Sequence, residues 1–300
     1  MTQRVAAIVV TYNRKTFLTR CIAALQQQAE VQPDILIIDN ASTDGTGDAV
    51  AALPTDERLH YYNTGENLGG AGGFNYGMKL AAQLGYDYLW VMDDDCIPEP
   101  GALSALLEAD RVMEGEYGFL SGIAYWRDGS LCNMNIQKTG LMTKLTRLDA
   151  PYVPVIMATF VSAFFPVRRV REVGLPIKEF FIWSDDLEYT RRLSRRYPCY
   201  AVTGCRVLHD MHSNNKVNIV TDTPERILRY RLLYRNEVYV YRREGLLGWL
   251  YLIARVGYHV LRALCARGQR LERARVILSS FVEGVRFHPP VEYLTETKEP

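Results

Sequence analysis

Four short strand-like runs in the first hundred residues alternate with helical patterns, and this alternation limits the fold more than any other feature of the chain. Val5-Ala6-Ala7-Ile8-Val9-Val10 stops at Thr11-Tyr12-Asn13-Arg14, and Ile35-Leu36-Ile37-Ile38 stops at Asp39-Asn40. A third run lies near Leu59 to Asn63, and Tyr88 to Met92 stops at Asp93-Asp94-Asp95. Between them, Leu18, Ile22 and Leu25 recur at spacings of four and three, and a second helical stretch runs to about Leu84. Such a pattern predicts an α/β fold built on a mostly parallel, doubly wound sheet. Ligands of such sheets sit outside the carboxyl ends of the strands, where Thr11, Tyr12, Asp39, the glycine run after Asn67 and the three aspartates all fall. With 300 residues, 48% hydrophobic and 23% charged, the chain can bury one large α/β domain, alone or with an appendage.

The triple aspartate poses the sharpest chemical question. Tyr88 to Met92 is apolar on both faces, as expected of a central strand. Period two puts Asp93 and Asp95 on one side and Asp94 on the other. Three acids there suit a hard cation such as Mg²⁺ or Mn²⁺; the alternative is a solvated acidic turn ahead of a helix begun by Pro98-Glu99-Pro100-Gly101. Asn67-Leu68-Gly69-Gly70-Ala71-Gly72-Gly73-Phe74 is neither GxGxxG nor a P-loop. Its glycines either bring backbone N–H groups to a phosphate or permit a tight turn and close helix packing.

Farther on, Leu103, Leu106 and Leu107 mark a helix, Phe119 to Trp126 a strand, and residues 127–150 an irregular polar surface loop that could meet an acceptor. Val153 to Pro166 reads as a strand. Phe180-Phe181-Ile182-Trp183 then turns into Ser184-Asp185-Asp186-Leu187-Glu188 at a helix start, with Ser184 placed to cap it. The acids there fit either a helix-dipole effect or a carboxylate at work beside an aromatic wall. His209 and His212 are either polar surface or, for a neutral imidazole, a metal ligand completing a carboxylate pair.

Taken in order over roughly residues 4–215, these stretches resemble the family 2 inverting glycosyltransferases of the GT-A fold. The matching pieces are residues 9–14, 38–46, 67–70, Asp93-Asp94-Asp95, Asp185-Asp186-Leu187-Glu188 and the later His209. Within that family, residues 67–74, the triple aspartate and Trp183 to Tyr189 look most like bacterial galactofuranosyltransferases, and rhamnosyltransferases using dTDP-rhamnose share much of the pattern. One departure is Ser184, which separates Trp183 from the acid pair where galactofuranosyl enzymes have Trp-Asp-Asp directly. The resemblance implies a UDP-sugar donor, a lipid-linked or polysaccharide glycan acceptor, and Mn²⁺ or Mg²⁺ as cofactor. It implies that Thr11, Tyr12, Arg14, Asp39, Asn67, Gly69, Gly70, Asp93 and Asp94 meet the nucleotide sugar. It also implies that Asp93, Asp95 and His209 (with His212 as fallback) hold the metal. By the same resemblance Asp186 is the general base, while Asp185 and Trp183 position the acceptor.

The remaining third differs in charge. Residues 1–100 carry thirteen acids against six bases, whereas Arg226 to Arg275 carries twelve arginines against three glutamates. Ile227, Tyr230, Tyr234, Val238 and Tyr241, then Leu246, Leu250, Ile253, Val256, Val260 and Leu264, follow helical spacing. The expected division is a catalytic domain at 1–215 and an arginine-rich helical region at 216–300. The uncharged piece Gly245 to Ala254 is half the roughly twenty residues that a spanning helix needs. The region therefore reads as a cap on the catalytic domain, an oligomer contact, or an amphipathic surface for anionic membrane. No nucleic-acid motif accompanies the basic face. Six scattered cysteines without a CxxC pair, and no signal peptide, point to the cytoplasm, peripheral at the inner membrane face. A nucleotidyltransferase and a non-catalytic nucleotide-sugar or glycan-binding module are the alternatives from other classes; Asp185-Asp186 speaks against the first. A processive polysaccharide synthase is disfavoured, as spanning segments and a Gln-x-x-Arg-Trp motif are both missing.

Overall fold

A computed structural model describes residues 3–214 and 218–294. In chain order the first elements are β1 (Val5–Thr11), α1 (Lys15–Gln26), β2 (Asp34–Asp39), α2 (Thr46–Ala51), β3 (Leu59–Asn63), α3 (Gly69–Gln83), β4 (Tyr88–Asp93), β5 (Cys96–Pro98) and α4 (Ala102–Val112). There follow β6 (Leu120–Tyr125), β7 (Tyr152–Pro154), β8 (Ala163–Pro166), α5 (Val167–Val173), α6 (Asp185–Ser194) and β9 (Tyr200–His209). The chain then turns helical, with α7 (Tyr230–Tyr241), α8 (Gly245–Cys265) and α9 (Arg270–Arg286).

One sheet runs in the order β3-β2-β1-β4-β8-β6-β9-β5, with β7 added against β9. From β3 to β4 it is parallel; beyond β4 it is mixed. The strand order reverses beside β1, so a crevice opens where β1 and β4 end. Register makes those ends level: Val10 lies opposite Asp93, and Thr11 opposite Asp39. Every residue of β1 is buried, which is why its two faces carry small and branched apolar side chains without alternation.

The glycines of α3 let that helix approach the sheet closely. A Cβ at Gly73 would meet Val10 Cγ1 at 2.6 Å, and one at Gly77 would meet Ile8 Cγ2 at 2.6 Å. Gly69 has a φ of +70°, and a Cβ there would lie 2.2 Å from the Phe181 carbonyl oxygen. These three glycines thus permit close packing.

Three local expectations need correction. Val153 to Pro166 is strand only at its two ends, β7 and β8; between them Ser162 takes a φ of 62°, which breaks any ladder. Ser184 precedes α6 with a φ of 67° but makes no side-chain cap. Residues 127–150 are irregular, yet Cys132, Asn135, Gln137 and Leu145 are buried, so this segment lies over the sheet rather than free in solvent.

The helical region packs onto the α/β part. Val238, Tyr239, Val240, Tyr241 and Leu252 share one apolar cluster with Ala71, Ile177 and Phe180. The expected boundary at 215/216 lies outside the described residues. Among the described residues no helix is long and apolar enough to cross a membrane.

Candidate active site

The crevice at the ends of β1 and β4 collects most of the polar residues singled out from the sequence. Thr11, buried at the end of β1, donates from Oγ1 to Asp94 Oδ2 at 2.7 Å. Arg14, just beyond it, places Nη1 2.6 Å from Asp95 Oδ2 and 3.3 Å from Asp94 Oδ1. Asp94 thus faces Thr11 and Arg14. Burial raises its carboxyl to about 6 even though Arg14 pulls the other way.

Asp93, Asp95 and His209 each offer one ligand atom, all within 4.8 Å of one another. Asp93 ends β4 and His209 ends β9. Their strands are distant in sequence, and β5 joins them by pairing Cys96 with His209. His209 Nε2 lies 2.9 Å from Asp95 Oδ1, and its Nδ1 lies 2.9 Å from Asn135 Oδ1. The Asn135 amide is oriented by its own donation to Thr159 Oγ1 at 2.9 Å. Burial is the largest single influence and opposes a charged imidazole, but the hydrogen bonds to Asp95 and Cys132 and the charges of Asp95 and Asp93 together outweigh it and lift His209 to about 10. Burial acts to raise Asp95 as well; the bond and charge of His209, joined by Arg14, instead hold it near 2. Asp93 is pushed up to about 7 by burial and then by the charge of Asp95. Two carboxylates and one imidazole fit a hard or borderline divalent cation. His212 is exposed and sets its ring edge-on to Phe17 at 6.1 Å, outside this group.

Further residues of the nucleotide-sugar group expected from the sequence occupy the neighbouring strand end. Asp39 is fully buried; its Oδ1 accepts from Ser42 N at 2.9 Å and its Oδ2 from Tyr61 Oη at 2.5 Å. Burial and that carboxylate raise the Tyr61 phenol to about 12. Asn13 ties the two strand-end loops together, accepting from Thr43 N at 2.7 Å and donating its own N–H to Ser42 Oγ at 2.8 Å. Tyr12 is exposed. Asn67, also exposed, accepts from Gly69 N at 2.9 Å and so shapes the start of α3. No atom comes within 4 Å of a Cβ built on Gly70.

The acids at the start of α6 complete the crevice. Burial raises Asp185 well above the usual carboxylate range; the charge of Asp186 adds to this, and the charge of Asp93 reaches it too. Asp186 accepts from Leu187 N at 2.7 Å. Its carboxyl is raised to about 6 by burial, with Leu187 N–H and the Lys138 charge drawing it back. Burial thus disfavours a charge on either acid of the pair. Trp183 stacks tilted on Tyr230 at 5.4 Å, with the Arg229 guanidinium 5.7 Å over its ring. Asn135 and Lys138 escaped the sequence reading, since single polar residues in a polar loop carry no signal of what they will meet.

The profile of glycosyl transferase family 2 matches residues 6–164. Galactofuranosyltransferase GlfT1 of Mycolicibacterium smegmatis is 27% identical over 287 residues, covering 85% of this chain and 91% of that protein. GlfT1 of Mycobacterium tuberculosis is 28% identical over 282 residues with the same coverage. The N-acetylglucosaminyl-diphospho-decaprenol L-rhamnosyltransferase of M. tuberculosis is 33% identical over 120 residues, 36% of this chain and 38% of that one. Among solved structures, S. aureus TarS matches with a TM-score of 0.58 at 13% identity, over 93% of this chain and 43% of TarS. TarS 1–349 in complex with UDP matches at 0.55 and 12%, over 95% and 72%. At such identity the likeness is one of fold.

Proposed function

The chain belongs to glycosyl transferase family 2, and from that premise we propose that it is an inverting, metal-dependent galactofuranosyltransferase taking UDP-galactofuranose to a hydroxyl of a growing cell-surface glycan. Family membership sets aside the nucleotidyltransferase and binding-module alternatives. The observation that carries the sugar is the extent of the similarity to GlfT1, which spans 85% of this chain. The rhamnosyltransferase similarity stops at 36%. Rhamnose from dTDP-rhamnose is the second reading, favoured by the higher local identity of that shorter match.

In this proposal Asp93, Asp95 and His209 hold Mn²⁺ or Mg²⁺. When bound, such an ion offsets charge on the leaving diphosphate. Thr11, Tyr12, Arg14, Asp39, Asn67, Gly69, Gly70 and Asp94 bound the nucleotide-sugar side of the crevice, and Trp183 walls the acceptor side. Asp186, ionised near neutral pH, takes the proton of the acceptor hydroxyl as its oxygen bonds to the anomeric carbon and the bond to UDP breaks. Asp185 orients the acceptor by hydrogen bonding. A single displacement needs one base and no enzyme nucleophile. Residues 1–215 serve as the catalytic domain and 216–300 as a helical region that caps it.

We also propose that α8 rests on the anionic cytoplasmic face of a membrane. Leu246, Leu247, Leu250, Ile253, Leu261 and Leu264 are all exposed along one side of this helix, and Arg262 is its one exposed charged residue. Exposed Arg267 and Arg270 follow at the turn into α9. An apolar face rimmed by arginine suits a lipid interface with negative headgroups. A homo-oligomer through this face is the competing outcome.

The deciding experiment is a donor screen with UDP-galactofuranose, dTDP-rhamnose, UDP-galactose and UDP-glucose on membrane-derived acceptor. Transfer from UDP-galactofuranose alone is expected. Transfer of rhamnose without galactofuranose overturns the sugar assignment.

A further inference from the structure

The segment that delivers Asp185 and Asp186 is held in a costly shape by two neighbouring residues of the C-terminal helices. Phe181 has φ 63° and ψ −55°, and Ile182 N donates to Phe180 O at 2.7 Å. This is a γ-turn of the rare, strained hand. Trp183 and Ser184 follow, each with a φ of 67°. Three non-glycine residues out of four thus lie in the left-handed region immediately before the acid pair. Such conformations persist only where the surroundings over-determine them.

The surroundings here are mainly one dipeptide on α7. Asn236 is fully buried. Its Nδ2 donates to Phe180 O at 3.1 Å, Ile182 O at 3.0 Å and Trp183 O at 2.9 Å. Its Oδ1 accepts from Arg235 Nε at 3.0 Å, which orients the amide. Arg235 Nη2 reaches Glu179 O at 2.8 Å and Phe180 O at 3.3 Å. The one carbonyl of residues 179–183 that the pair leaves alone, Phe181 O, accepts from Ala71 N of α3 at 3.1 Å. Buried carbonyls left without such donors would be costly, so the amide and the strained backbone require each other.

We infer that Asn236 is a positioning residue for the transfer reaction: by gathering three carbonyls it holds the strained 181–184 turn, and so fixes where the acid pair of α6 meets the acceptor. The helical region then completes the catalytic site in addition to covering it. This rests on the reading of Asp185 and Asp186 as catalytic acids. A residue acting through geometry should change turnover and leave donor binding alone, because displacements near 1 Å cost about 10²-fold in rate.

The test compares Asn236→Ala, Asn236→Asp, Arg235→Gln and Leu252→Ala in the full chain. Leu252→Ala removes a buried side chain of α8 that lies in the same helical layer. For each, kcat and donor KM, UDP binding by calorimetry and the melting temperature are measured. Both Asn236 variants are expected to lose about 10²-fold in kcat with UDP affinity within about twofold of the parent. Arg235→Gln, which keeps Asn236, should lose several-fold. Leu252→Ala should lower the melting temperature and keep kcat. Near-parental kcat in a folded Asn236 variant overturns the inference, and so does an equal kcat loss in Leu252→Ala. Should the Asn236 variants not fold, unchanged kcat in Arg235→Gln overturns it. Asp185→Asn and Asp186→Asn are assayed alongside: if both turn over normally the catalytic reading itself fails, whereas dead Asp variants beside normal Asn236 variants remove the positioning role alone.

Discussion

His209 Nε2 lies 2.9 Å from Asp95 Oδ1, although 114 positions separate the two residues. On its other side the ring meets Asn135 Oδ1, also at 2.9 Å. With an oxygen 2.9 Å from each nitrogen, the imidazole is drawn toward its protonated, positively charged form despite its burial. That charge and Arg14 together hold Asp95 ionised. A divalent ion bound by Asp93, Asp95 and His209 would take over this compensation.

Removal of metal should therefore stop the reaction. EDTA is expected to abolish transfer and added Mn²⁺ or Mg²⁺ to restore it. Asp95→Ala should weaken UDP binding measured by calorimetry with the metal present. Full activity in chelator would refute metal dependence.

Asn135 orients the ring that would bind the ion. Partners of this kind typically change metal affinity by about 10–100-fold when removed. Asn135→Ala should raise the Mn²⁺ concentration giving half-maximal activity by that factor while the melting temperature shifts little. An unchanged Mn²⁺ requirement would show that the ring is held by Asp95 alone.

In the proposed mechanism the pH profile follows from Asp186 as base. Burial puts its carboxyl at about 6, and a general base works only when ionised. Turnover should plateau above that pH and fall about tenfold per unit below it. Asp186→Asn keeps the shape but cannot accept the proton, so about 10²–10⁴-fold in rate should go, and the acid limb with it. Asp185→Asn should chiefly weaken acceptor binding. Near-parental turnover in Asp186→Asn places the base elsewhere.

Neighbouring glycines should respond in opposite ways to alanine. Gly69→Ala would force a left-handed backbone, worth about 1–3 kcal/mol, and drive its Cβ to 2.2 Å from Phe181 O. It should lower stability in chemical denaturation by at least that amount. Gly70→Ala meets nothing within 4 Å and should leave stability equal or slightly raised, because alanine is the better helix former. Equal stability in both variants would contradict the packing at Gly69.

Membrane contact through α8 predicts salt-sensitive binding to phosphatidylglycerol vesicles, since screening shortens the reach of surface charge to about 8–10 Å near physiological salt. Leu250→Glu with Ile253→Glu should release the protein from the vesicles. Equal partitioning onto neutral and anionic vesicles removes the electrostatic part of the idea. A dimer in sedimentation that the same pair of substitutions dissolves would assign the face to a second copy.

The amino-acid sequence determined the parallel half of the sheet and which residues stand at its carboxyl edge. Both follow from local rules, since apolar runs such as Val5–Val10 and Tyr88–Met92 must be buried on both faces; period two does not govern the triple aspartate, because Asp94 and Asp95 lie in the turn between β4 and β5. The family could be read as well, because its motifs are contiguous words in the chain. Tertiary structure alone decided the rest. Val153 to Pro166 has the composition of a strand, yet the positive φ at Ser162 interrupts it. The glycine run left a choice between phosphate contact and close packing; only the meeting of α3 with β1 and with Phe181 shows Gly69, Gly73 and Gly77 in contact with their neighbours. His209 and His212 are indistinguishable in the chain, but β5–β9 pairing turns one onto Asp95 and leaves the other outside. Asn135 and Asn236 had no signal at all. What an asparagine amide does depends on which carbonyl or ring folding brings within about 3 Å of it, and those partners are 74 and more than 50 residues away.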